Sequence, residues 1–232
     1  MFTVLKAQHS LKKVMPNAGR SLLRILLIAM VIVFVALPFG GNLKACEEGW
    51  TSGSMDVIVY QGLEACSYHV DFCYQCGTVT PGGNVPNTII DIKGFYMNSP
   101  GGCSQTLSAS EILAQLRARL LDPYYLAILC GQFPPCDDYY FVTLTTPMCW
   151  YKSNPSGSII FNSCPGTSEC ISTWKYCWDA INQVYRITTF GQPGISGPFS
   201  CSSVQEPNPG DDNYPPLGEV TPCFFVITDC NQ

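Results

Sequence analysis

Three features of the sequence predict a mainly β, α+β fold of antiparallel hairpins and meanders, held by disulfides. All fourteen cysteines fall at or after Cys46. Most of the following chain is short runs of β-branched and aromatic residues alternating with polar ones and separated by Gly, Pro, Asn and Ser, the pattern of half-buried strands and their turns. One stretch alone, about 108–130, repeats its apolar residues at helical spacing.

Residues 1–45 read as an export signal. A basic region reaches Arg24, an apolar run spans Ile25 to Leu37, and Pro38, two glycines and Ala45 follow. The run is shorter than the roughly 20 residues of a membrane span. Two alternatives compete with cleavage after Ala45: an uncleaved anchor, with the run extended to Phe39, and lipid attachment at Cys46 within Leu43-Lys44-Ala45-Cys46. Lys44 and cysteine parity argue against the lipid, which would leave one thiol unpaired. A membrane contact is therefore expected only through an uncleaved leader or a lipid on Cys46.

Charge is divided unequally. Six of the twelve Lys and Arg residues (Lys6, Lys12, Lys13, Arg20, Arg24, Lys44) precede Cys46, and none of the seventeen acidic residues do. The body, 46–232, is left with six basic against seventeen acidic residues, a net charge near −11. So acidic a body repels phosphate backbones, which argues against a nucleic-acid partner.

In an exported chain, Cys46, Cys66, Cys73, Cys76, Cys103, Cys130, Cys136, Cys149, Cys164, Cys170, Cys177, Cys201, Cys223 and Cys230 are most simply seven disulfides, with pairing left open. Strand geometry excludes two pairs. Residues seven apart in a strand lie roughly 23 Å apart, at about 3.3 Å per residue. Bridged Cα atoms lie within about 7 Å. Cys66 therefore cannot bond Cys73, nor Cys170 bond Cys177.

In chain order, Met55 to Tyr60 forms a strand that turns at Gln61-Gly62 into a second, Cys66 to Tyr74. On the second, Cys66, Val70, Phe72 and Tyr74 share one face, and Ser67, His69, Asp71 and Cys73 the other. A loop, Thr78 to Pro86, leads to a third strand, Thr88 to Met97, interrupted at Gly94, and then to a turn over 98–102. Ser108 and Glu111 form a capping box; Ile112, Leu113, Leu116, Leu120 and Leu121 make the buried stripe, with Gln115, Arg117 and Arg119 mostly off it. Asp122 and Pro123 end that helix and open another, which Gly131 closes.

Strands are then expected at Tyr139 to Thr146, Met148 to Lys152, Ser158 to Cys164, Cys170 to Trp178 and Gln183 to Phe190. Past Gly191 the chain becomes a long Pro-, Gly- and acid-rich loop, closed by a strand over Cys223 to Cys230. Its cysteines mark 201–232 as a segment stapled to the body. Laid without gaps, 52–78 and 156–182 share six of twenty-seven residues, including Cys66/Cys170 and Cys73/Cys177, so a duplicated hairpin is one expectation.

Candidate chemistry is sparse. Cys66, His69, Cys73 and Cys76 are of the residue types that bind zinc, but a strand sends them to opposite faces, and no metal or other cofactor is expected. Cys73 and Cys76 have the spacing of a redox pair without its helix. Ser67, His69 and Asp71 share a face, yet at about 7 Å between positions they are expected to stand too far apart for triad hydrogen bonds. His69 is the only histidine after the leader. Three aromatic pairs, Tyr124-Tyr125, Tyr139-Tyr140 and Trp150-Tyr151, can pack in the core or build a platform for sugars or a protein. Asp211-Asp212-Asn213 is read as a solvated turn rather than a calcium loop.

No catalytic residues are assigned. The leading expectation is a secreted or cell-surface structural or adhesion protein, with an extracellular protein or carbohydrate as partner. The alternatives are a glycan hydrolase using two carboxylates and, behind it, a thiol oxidoreductase at Cys73 and Cys76.

Overall fold

The computed structural model describes residues 46–77, 87–98, 103, 106–198, 201–202 and 205–231. The leader, the loop 78–86 and most of the turn 98–102 lie outside the described residues.

β1 (Thr51–Gln61) and β2 (Glu64–Gln75) form a long antiparallel hairpin. Its two-residue turn, Gly62-Leu63, places Gly62 at φ +64°, a conformation open to glycine without steric cost. β3 (Asn87–Met97) pairs antiparallel with β2. Asp71 lies opposite Gly94 and Phe72 opposite Ile92, so Lys93 is the extra residue of a β-bulge rather than a break in the strand. Gly94 sits at a close approach there: a Cβ would stand 3.1 Å from the Phe161 carbonyl oxygen, so a side chain would need the facing strand to give way slightly.

The other edge of β3 is shared. Its first half pairs with β4 (Tyr140–Pro147), and its last residues pair with β6 (Ile160–Ser163). The sheet therefore branches. One arm runs through β4 and β7 (Glu169–Asp179) to β8 (Val184–Thr189) and β9 (Gly194–Ser196), the other through β6 and β5 (Cys149–Ser153) to β10 (Phe224–Phe225). β3 and β4 run parallel, the one parallel strand pair among the described residues. The cause is the connection between them. It contains both helices, α1 (Ala109–Leu120) and α2 (Pro123–Cys130), and a helical crossover is what a parallel pair needs.

The helices form where the capping residues place them. Ser108 caps α1 in a complete capping box with Glu111, and the Asp122 carboxylate accepts from the backbone of Tyr124 and Tyr125 at the start of α2. Ile112, Leu113, Leu116, Leu120 and Leu126 pack into one core with Val57, Val59, Tyr68, Val70, Phe72, Ile90, Ile92, Val142, Leu144 and Tyr176 of the sheet. Tyr176 also donates from its hydroxyl to the Leu121 carbonyl, 2.7 Å away, tying β7 to the end of α1.

Three expectations need correction. β6 and β7 do not pair with each other, so 156–182 is not a second hairpin. The C-terminal strand is only Phe224–Phe225, followed by a short 3-10 turn at Asp229–Asn231, because Cys223 and Cys230 are drawn to different strands. Arg117, placed off the buried stripe of α1, is buried, because Asp229 from the C-terminal segment covers it in an ion pair.

All fourteen cysteines are bridged. Cys46–Cys73, Cys66–Cys103 and Cys76–Cys130 tie the first hairpin to its flanks, Cys136–Cys177 fixes the approach to β4, and Cys149–Cys201, Cys164–Cys223 and Cys170–Cys230 bind the C-terminal segment. Cys66 and Cys73 bond elsewhere, as do Cys170 and Cys177, as strand geometry requires. The fold is thus a mainly β, disulfide-stabilised one. Among the described residues no helix is long and apolar enough to cross a membrane.

Candidate functional site

The disulfides dispose of several candidates at once. Cys73 and Cys76 are bridged to Cys46 and Cys130, not to each other, so the redox pair does not exist. Cys66 is bridged to Cys103, so none of the three cysteines near His69 offers a thiolate to zinc. Cys46 is bridged to Cys73.

His69 lies on the face of β2 turned away from the helices. Its Nδ1 is 2.7 Å from Asp56 Oδ1 on β1, and its Nε2 is 3.4 Å from Asp71 Oδ1. The two side chains at i and i+2 lean together, closer than the spacing of their strand positions implied. Both ring nitrogens therefore face aspartates, and neither is directed to Ser67 as a base for a nucleophile. Asn98 donates to Asp56 at 2.7 Å, and the Tyr96 ring lies 5.1 Å from the imidazole. Burial raises the Asp71 carboxyl above its ordinary value while the neighbouring His69 opposes that shift.

The aromatic pairs divide between core and surface. Tyr140 and Trp150 are buried, whereas Tyr124 and Tyr139 are exposed. Tyr124 meets Tyr185, and Tyr185 also contacts Trp178 and Phe133, forming an aromatic edge beside α2. Tyr139 belongs to a different group. Two residues on, Phe141 lies opposite Lys175 on β7, and Phe190 follows β8, its backbone donating to the Thr173 carbonyl. The rings of Tyr139, Phe141 and Phe190 surround the Lys175 ammonium at 4.9, 5.8 and 4.7 Å, and Phe141 meets Phe190 edge-on at 4.8 Å. Ammonium over ring faces is a cation–π arrangement, and several rings share one charge here.

The other cations are neutralised by carboxylates. Of the six Lys and Arg residues after Cys46, Lys93 pairs with Asp91, Arg117 with Asp229, Arg119 with Asp122, Lys152 with Glu206 and Arg186 with Asp179. Lys175 has no carboxylate partner among the described residues and is held by rings alone. Tyr139 and Phe190 remain about half exposed, so the group is open to solvent. Thr188 faces Lys175 across the strand pair, and Asp137 and Asp138, both exposed, immediately precede Tyr139.

Sequence reading singled out Tyr139 but not Lys175, Phe141 or Phe190. Alternation places Lys175 on an outward face; its alignment with Phe141 depends on the β4–β7 register, which joins residues 34 apart and has no local signal. No family profile, curated protein or solved structure matches this chain significantly.

Proposed function

We propose that this is an exported protein of an oxidising, extracellular compartment that works by binding rather than by catalysis, structural or adhesive in role. The observation that carries this reading is the open aromatic group around Lys175 on the outer face of a sheet locked by seven disulfides. A solvent-facing cluster of rings contributes little to the core but supplies rigid apolar area for a partner at low entropic cost. The hydrolase alternative requires two facing carboxylates as acid and base or nucleophile. Here the aromatic group is centred on an ammonium, and the acids Asp91, Asp122, Asp179, Glu206 and Asp229 are engaged by cations.

The test applies oxidised, exported protein to immobilised extracellular polysaccharides and surface proteins, with release of reducing ends followed in parallel. Saturable binding that falls in Tyr139→Ala and Phe190→Ala, without release of reducing ends, is the expected result. Release of reducing ends by the wild type, abolished when a carboxylate is replaced, would overturn it in favour of hydrolysis.

A further inference from the structure

Resting on that reading, we infer that the Lys175 group is a binding site for the end of a glycan bearing a single acidic sugar, with the sugar carboxylate on the Lys175 ammonium. Four observations combine. Lys175 is the one Lys or Arg after Cys46 without a carboxylate partner among the described residues, so its charge is balanced only by the weaker attraction of three ring faces. A carboxylate approaching it would form a charge-assisted hydrogen bond without displacing an existing ion pair.

Tyr139 and Phe190 expose about half of their surface beside that ammonium, giving a flat apolar contact for the C–H face of a pyranose ring. A hydroxyl-bonding group borders the same surface, Thr188 opposite Lys175, and two exposed acids, Asp137 and Asp138, precede Tyr139 in the chain. A cation for the carboxylate, an apolar surface for the ring and a hydroxyl beside them together match the chemistry of a uronic-acid sugar.

The limit to one acidic sugar follows from the body as a whole. With six basic against seventeen acidic residues after Cys46, the surrounding field opposes anions. A dense polyanion would place its remaining charges against that field. An isolated terminal carboxylate needs only the local cation, and at physiological salt the more distant acids are screened beyond about 8 Å.

The experiment is a calorimetric titration of the oxidised, exported protein with three probes: an oligosaccharide ending in one glucuronate, its counterpart ending in glucose, and a short acidic peptide. The glucuronate end is expected to bind about tenfold or more tightly than the glucose end, with an advantage that shrinks as salt is raised. Lys175→Met, which keeps the apolar stem and removes the charge, should abolish that advantage. Phe190→Ala should weaken both sugars, with thermal unfolding confirming that each variant is folded; Tyr139→Ala serves in its place if Phe190→Ala is not.

Equal binding of the two sugars in wild type and Lys175→Met would overturn the acidic-sugar inference while leaving the binding reading intact. Binding of the acidic peptide in preference to both sugars would also overturn it and would point to a protein partner. Failure of all three probes would overturn the inference, whereas the binding reading stands or falls separately on the polysaccharide and surface-protein panel.

Discussion

Asp179 closes the turn after β7. Its carboxylate accepts from the backbone of Ile181 and Asn182, from the Asn182 side chain at 2.8 Å and from Arg186 at 2.7 Å. Those hydrogen bonds, Asn182 foremost, hold its pKa down from 3.8 to about 2. A carboxyl held below its unfolded value stabilises the fold while ionised in both states, and that contribution fades as pH falls from 3.8 to about 2. Asp179→Asn is therefore expected to melt below the wild type at neutral pH, with the gap closing over that acid window; Tm measured against pH checks it. Asp71 has the opposite sign: burial raises its pKa, so its ionisation on raising pH costs stability rather than adding it.

Lys152 is the second informative residue, fully buried with its ammonium 2.8 Å from Glu206 and hydrogen-bonded to the carbonyls of Pro207 and Asn208. Lys152→Met leaves a buried carboxylate unpaired and should cost about 3–5 kcal/mol. Adding Glu206→Gln, which keeps an acceptor for the Ala109 backbone, should recover part of that loss; denaturant melts of the single and double variants measure both. No local signal marks the pair, because the partner of Lys152 lies 54 residues away in a stretch with the composition of a loop.

Among the elements, α1 was the most legible, because its signals are local. Ser108 and Glu111 satisfy each other's backbone donors within four residues, and the leucine stripe repeats within one helix. Ser108→Ala is expected to cost about 1 kcal/mol in denaturant melts, the ordinary worth of a side-chain cap. A drop below a few tenths would mean that the Glu206 carboxylate, which accepts from Ala109, already serves the helix start. Strand positions were legible for the same reason, since alternation is written residue by residue. Strand partners were not. Gly94 marked an irregularity in β3, yet the neighbour that approaches it there, the Phe161 carbonyl, belongs to a residue 67 positions on.

For the whole molecule, the disulfides divide the labour. Three bonds hold the C-terminal segment, which also lays Glu206 against the start of α1 and Asp229 against Arg117. The Cys170–Cys230 bridge spans 60 residues, and on the chain-entropy account such a loop is worth about 4 kcal/mol. Replacing both cysteines by alanine should lower stability by about that amount and expose Arg117 and Ser172, read as faster amide exchange at the end of α1 and on β7. Unchanged exchange at both places would show that the ion pair alone holds the segment. Full reduction should unfold the protein, since every bridge links segments distant in the chain.

Composition and periodicity alone establish the β class, the helical stretch, the cysteine count and the two forbidden pairings, because each depends on residues within a few positions of one another or on a simple sum. The parallel β3–β4 pair, the branched sheet, the disulfide map and the ring cluster at Lys175 rest on register between segments tens of residues apart. Side-chain alternation tells which face a residue takes. It does not tell which strand will lie beside it, and that choice is made by the packing of the complete chain.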